Sequence, residues 1–233
     1  MVNKENKEKK EKKEKKEKKV RGKQQKKEVI PRTLNRIPKY PIVYLAWGSL
    51  LWDYHQLPVV FSPRPWQHTY DLEIPLEFSR ISDHGKGRMT LVIDDIEGEN
   101  NPVWYAPCLE TNFNKAIGAL RKREKTSPDN IAYLNLVTAS YRINNTPKEV
   151  VQKIIDWADK NEFRGVVWAD LPSNWSEVRN GQYSVEDAFN YYDSLGVETK
   201  ISARDYILNA IKYAQILTPF SKAFIKREYS NKN

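Results

Sequence analysis

Four short runs with strand patterning follow one another between positions 42 and 108, and turn signals separate them. Residues 42–47 (IVYLAW) are apolar throughout and stop at Gly48-Ser49, which predicts a buried strand and a tight loop. Residues 50–65 carry Pro58, Pro63 and Pro65 and read as irregular. Residues 69–78 alternate in part, Gly85 and Gly87 mark a turn, and residues 88–94 (RMTLVID) and 103–108 (VWYAPC) complete the group. A chain that opens this way builds a sheet before it builds helices.

The period then changes. Phe113, Ile117 and Leu120 recur at helical spacing within 111–125. Residues 131–143 suit a strand or a helix equally. Thr146-Pro147 predicts a capped helix through 163, residues 166–170 (VVWAD) a strand, Ser184 the cap of a helix to about 195, and Ser202 the cap of a last helix over 202–217. Strands first and helices later give an α+β fold, a small mixed β-barrel flanked by helices.

The formal net charge of +9 belongs to one end of the chain. Residues 1–29 hold thirteen lysines, one arginine and six glutamates in KEKK repeats, whereas the remainder holds 25 basic and 24 acidic groups. A segment with almost no apolar side chain cannot offset its ordering entropy, so residues 1–38 are expected to be a disordered basic tail and linker. Residues 39–228 are expected to be a single domain. Its near-neutral charge offers no electrostatic footprint for a duplex or a membrane surface, and nucleic acid is expected as a partner only weakly, through the tail. No run approaches the roughly 18 apolar residues of a membrane span, and no apolar core of a secretory signal follows the charged start. Cys108 is the lone cysteine, which rules out an intramolecular disulfide and suits a reducing, cytoplasmic setting.

Motifs for phosphate loops, dinucleotides and serine nucleophile elbows are absent, and His55, His68 and His84 lack the spacing of metal ligands. Chemistry must then rest on carboxylates, hydroxyls and backbone donors, with no metal or cofactor. A Gly-Ser turn at a strand end can aim consecutive N–H groups at one point, and Gly48 lets a ligand approach the backbone closely. Glu124 closes a helix among Arg121, Lys122, Arg123 and Lys125, where a solvated surface role is the plain alternative. Glu73 and Glu77 are rival carboxylates, because strand alternation sets them on one face.

Two segments carry a resemblance. Residues 44–52 (YLAWGSLLW) look like the strand-and-loop signature of the γ-glutamylcyclotransferase-like superfamily, and are most similar to its ChaC-type glutathione-specific branch. Residues 119–125 (ALRKREK) resemble the helix end in which that branch carries its catalytic glutamate. A weaker likeness runs from Phe78 through Ser82 and His84 to Arg88 and the strand after it. The resemblance spans about 42–126. It implies that Glu124 is catalytic, that Tyr44, Trp47, Gly48, Ser49, Leu50, Arg80 and Arg88 bind substrate, and that the substrate is a small γ-glutamyl compound. The reaction implied is attack of the α-amine on the γ-amide carbonyl, releasing 5-oxoproline and an amine, as in glutathione metabolism. Trp47 stands where those relatives carry tyrosine, and Thr126-Ser127-Pro128 replaces their Gly-Gly-Tyr. Asp170 to Trp175 (DLPSNW) has no counterpart there and reads as a strand end and proline turn that roofs a pocket. The alternatives are a non-catalytic ligand-binding module of the same fold, and a ribosome- or nucleic-acid-associated protein acting through its tail.

Overall fold

The computed structural model describes residues 40–55, 57–60 and 64–230. The tail and linker expected over 1–38 lie outside the described residues.

Seven strands form one mixed sheet: β1 (Tyr40–Ala46), β2 (Gln67–Ser82), β3 (Arg88–Ile93), β4 (Glu99–Pro107), β5 (Ile131–Asn135), β6 (Ser140–Arg142) and β7 (Phe163–Ala169), in the order β3-β2-β4-β1-β7-β5-β6. β1 runs antiparallel to β4 and parallel to β7, with Tyr44 opposite Ala106 on one side and Val167 on the other. Both flanks and both faces of β1 are therefore covered, which is why its sequence is apolar without alternation. β3 and β6 are the edges of this order, so these pairings give an open sheet and not the closed barrel expected from the strand spacing. The ambiguous 131–143 stretch is the β5–β6 hairpin. Asn135 turns it by accepting from the N–H groups of Val137 and Thr138 (3.1 and 3.3 Å).

On β2 alternation holds for Glu73 and Glu77, but only one end of their shared face is covered. Leu72, Ile74 and Leu76 are buried while Asp71 and Glu73 are exposed, but residues 77–79 are all buried. Pairing with β4 is regular from Glu73 to Leu76 and the register shift against β3 falls after Glu77, so the two glutamates share a face whose far end is covered at Phe220. Glu73 ends in solvent and Glu77 in the interior, where its two oxygens accept from the N–H groups of Phe78 (2.6 Å) and Phe220 (3.1 Å).

Six helices surround the sheet. α1 (Phe113–Glu124) starts at Asn112, whose side chain accepts from the N–H groups of Asn114 and Lys115, and stops where Lys125 turns left-handed (φ 50°). Its Ala116 and Leu120 pack on Ile42, Tyr44 and Val167. α2 (Lys148–Lys160) begins without the expected Thr146 cap, because the Thr146 oxygen accepts instead from Trp168 Nε1 at 2.9 Å. Asp170 takes the Thr146 hydroxyl at 2.6 Å and the N–H groups of Asn144, Asn145 and Thr146 at 2.7–3.0 Å. α3 (Trp175–Arg179) is short, and α4 (Val185–Ser194) carries the expected cap, Ser184 accepting from Asp187 N–H. α5 (Val197–Ala214) starts earlier than its sequence suggested, so Ser202 lies within the helix and does not cap it. A separate helix, α6 (Pro219–Ser230), follows it. Thr218 and Ser221 close its start by exchanging side-chain and backbone hydrogen bonds. Among the described residues, no helix is long and apolar enough to cross a membrane.

Candidate active site

A cavity of about 800 Å³ opens where β1 leaves the sheet. That volume lies within the range of small-molecule sites. Its floor is the turn after β1, whose 3-10 geometry (Ser49–Leu51) makes its first internal bond from Leu51 N–H to Gly48 O at 3.0 Å. The N–H groups of Ser49 and Leu50 precede that bond and have no acceptor inside the turn. Gly48 sits at φ 101° and ψ −145°, a region open in practice only to glycine. A β-carbon there would stand 2.6 Å from Tyr206 Oη, so α5 can close on the turn only because the position is bare.

Glu124, at the C-terminal end of α1, lines the same cavity as Ser49 and Leu50. Its side chain is 16 % exposed. Burial raises its pKa, and the neighbouring Arg123 cation partly opposes the rise. Among the described residues its hydrogen-bond partner is Arg123, whose Nη1 donates to Oε1 at 3.1 Å.

The β2–β3 hairpin supplies cations. Residues two apart on a strand share a face, so Arg80 with Ser82 and Arg88 with Thr90 all reach the cavity. Arg80 donates to the Pro172 carbonyl at 2.7 Å, and burial lowers its pKa. Arg88 stacks over the Tyr206 ring at 4.7 Å and donates from Nη1 to Ser202 Oγ at 3.2 Å, while its Nε is buried without a hydrogen-bond partner. His84, on the turn of the hairpin, contacts the Lys125 carbonyl through Nε2 (3.0 Å) and so joins the hairpin to the end of α1.

Most residues singled out from the sequence meet here: Trp47, Ser49, Leu50, Arg80, Arg88 and Glu124 line the cavity, and Gly48 shapes it. Tyr44 does not. It is fully buried under α1, donating to the Ala116 carbonyl at 3.0 Å and accepting from Cys108 Sγ at 3.4 Å, so it holds the helix and is not part of the lining. Glu77, the rival carboxylate, is outside the lining as well. Leu171, from the 170–175 segment, does form part of the wall, and Ser173 and Asn174 fix that segment to the backbone of β2 at Ser79 and Ile81.

The wall supplied by α5 was not anticipated. Glu198, Ser202, Asp205 and Asn209 line the cavity together with Ile201 and Tyr206. Their spacing of three and four residues is a polar stripe on one helical face, a signal present in the sequence but indistinguishable there from a solvated face. Among the described residues, no group of three or more His, Cys, Asp or Glu side chains could hold a metal ion. The cavity lining thus includes one carboxylate with a raised pKa, the turn residues Ser49 and Leu50, and partly buried guanidinium groups, a set that fits a zwitterionic ligand with an acylated end.

No protein-family model, curated protein or solved structure matches this chain significantly.

Proposed function

We propose that the chain is an intramolecular acyl-transfer enzyme of the γ-glutamylcyclotransferase type, acting on a small γ-glutamyl amide. The observation that carries this reading is that Glu124 and the turn residues Ser49 and Leu50 line one cavity. In a γ-glutamyl compound the attacking α-amine and the γ-carbonyl belong to one molecule, so holding the chain folded removes much of the entropic barrier. The new bond joins the α-nitrogen to the carbonyl carbon of the γ-amide (Cδ), and the bond that breaks is the one from that carbon to the departing nitrogen. The ammonium loses two protons on the way to the lactam N–H, and the departing nitrogen gains two. One carboxylate can carry them in turn, which Glu124 suits because burial has brought its pKa up. The oxyanion formed on attack would accept from the N–H groups of Ser49 and Leu50, and the α-carboxylate would pair with the guanidinium of Arg88, which lines the cavity.

Release of 5-oxoproline from a panel of γ-glutamyl peptides and amines tests the reading. Glu124→Gln should lower kcat by about 10²–10⁴-fold with the fold intact. Equal turnover by wild type and variant would remove Glu124 from the chemistry. Tight binding of a γ-glutamyl compound without product would favour a binding module.

A further inference from the structure

Arg123 reads in the sequence as one of several charges around Glu124, but its side chain is only 11 % exposed and its donors are almost fully committed. Nε and Nη2 donate to the Asp53 carbonyl at 2.9 and 2.7 Å, Nη2 also donates to Ser49 Oγ at 3.1 Å, and Nη1 donates to Glu124 Oε1 at 3.1 Å. Adjacent residues of a helix do not ordinarily face each other. Here they do, because Glu124 is the last helical residue and Lys125 turns the backbone left-handed.

The chemistry of a guanidinium fixes the rest. It can only donate, so Ser49 Oγ must accept, and the serine's own proton is free to point elsewhere. Glu124 Oε1 is likewise occupied, and Oε2 is left for the ligand. We infer that Arg123 is a positioning residue that sorts the cavity wall into one proton acceptor, Glu124 Oε2, and one oriented donor, the Ser49 hydroxyl, while pinning the turn to the end of α1. The inference rests on the proposed reaction for its kinetic consequences, and on geometry alone for its effect on Glu124. Sharing the cavity with that carboxylate are Asp53 from the turn, Arg80 and Arg88 from the hairpin strands, Asp83 and His84 between them, Lys125 after α1, and Glu198, Asp205 and Tyr206 from α5. Arg123 is the group bonded to it.

The test compares Arg123→Met and Arg123→Lys in the full chain. In Arg123→Met kcat should fall about 10²-fold, more than KM changes, because the acid and the turn lose their common anchor. The acid limb of the kcat profile should move to higher pH, since the cation that opposes the burial effect is gone. Arg123→Lys should return the limb toward wild type but not restore kcat, because one ammonium cannot bridge three oxygen centres. A Met variant that keeps kcat within about threefold, or a limb that stays in place, overturns the inference. A second readout needs no turnover: ¹³C titration of the Glu124 carboxyl, assigned against Glu124→Gln. Its midpoint should rise in Arg123→Met, or, if that variant does not fold, rise less in Arg123→Lys. An unchanged midpoint in a folded Met variant overturns the inference. Absence of 5-oxoproline release by wild type, with the midpoint still shifted, would instead overturn the reaction and leave the positioning role standing.

Discussion

Replacing Glu77 by glutamine should remove most of a pH-dependent loss of stability that the wild type carries. Glu77 is 0 % exposed, and burial lifts its pKa from the ordinary 4.5 to about 7, against the opposing pull of the Phe78 and Phe220 N–H groups. In the unfolded chain the carboxyl returns to its ordinary value. Below pH 4.5 both states hold the proton, and the favourable contribution is complete. As pH rises through about 7 the unfolded state has already released its proton while the folded state must ionise in the interior, so stability falls. The difference in affinity for the proton corresponds to about 3 kcal/mol across that window. Glutamine cannot ionise. It keeps one of the two side-chain oxygens that accept from the Phe78 and Phe220 N–H groups and loses the other, which costs about 1 kcal/mol at every pH and so lowers the whole curve without tilting it. Urea unfolding of both proteins from pH 4.5 to 8 measures the tilt, and the difference between the two curves isolates Glu77. Parallel curves across the range would mean that Glu77 does not hold its proton in the folded state, and the argument from burial would be wrong.

Two further substitutions probe the site's frame. Gly48→Ala should destabilise by about 2 kcal/mol or more, from its left-handed backbone and from the clash with Tyr206 Oη. Adding Tyr206→Phe should relieve part of that cost, and strictly additive urea midpoints would show that the clash plays no part. Tyr44→Phe should lose about 1 kcal/mol of stability with kcat/KM held within about twofold, because its hydroxyl serves the Ala116 carbonyl and not a ligand. A large loss of turnover in a folded Tyr44→Phe protein would return Tyr44 to the site.

The parts of the fold that could be read in advance are those set by neighbours in the chain. The apolar run of β1, its Gly48-Ser49 stop and the charged end of α1 at Glu124 are local patterns, and each forms where it was expected. What failed did so where a distant group competed with a local rule. Thr146 has the chemistry of a helix cap, but its oxygen accepts from the distant Trp168 indole while its proton goes to Asp170. Glu77 keeps the face that alternation assigns it, but the distant chain at Phe220 covers that end of β2. Tyr44 sits beside the turn in sequence, yet it faces α1. The stripe on α5 and the reach of Arg123 to Ser49 and Asp53 depend on how helices settle over the sheet, and nothing in their own neighbourhoods specifies that.

The place of β1 at the centre of the sheet governs how the molecule must come together. β1 has its partners at β4 and, much later in the chain, at β7, where Tyr44 meets Val167. β2 and β3 pair across a short turn and β4 adds to the other side of β2, so that half of the sheet needs only near neighbours. The other half needs β7, and the cover over the turn needs α5, both from the far part of the chain. The hollow that holds Glu124 is complete only when those distant segments are in place, so whatever fills it stabilises the finished fold.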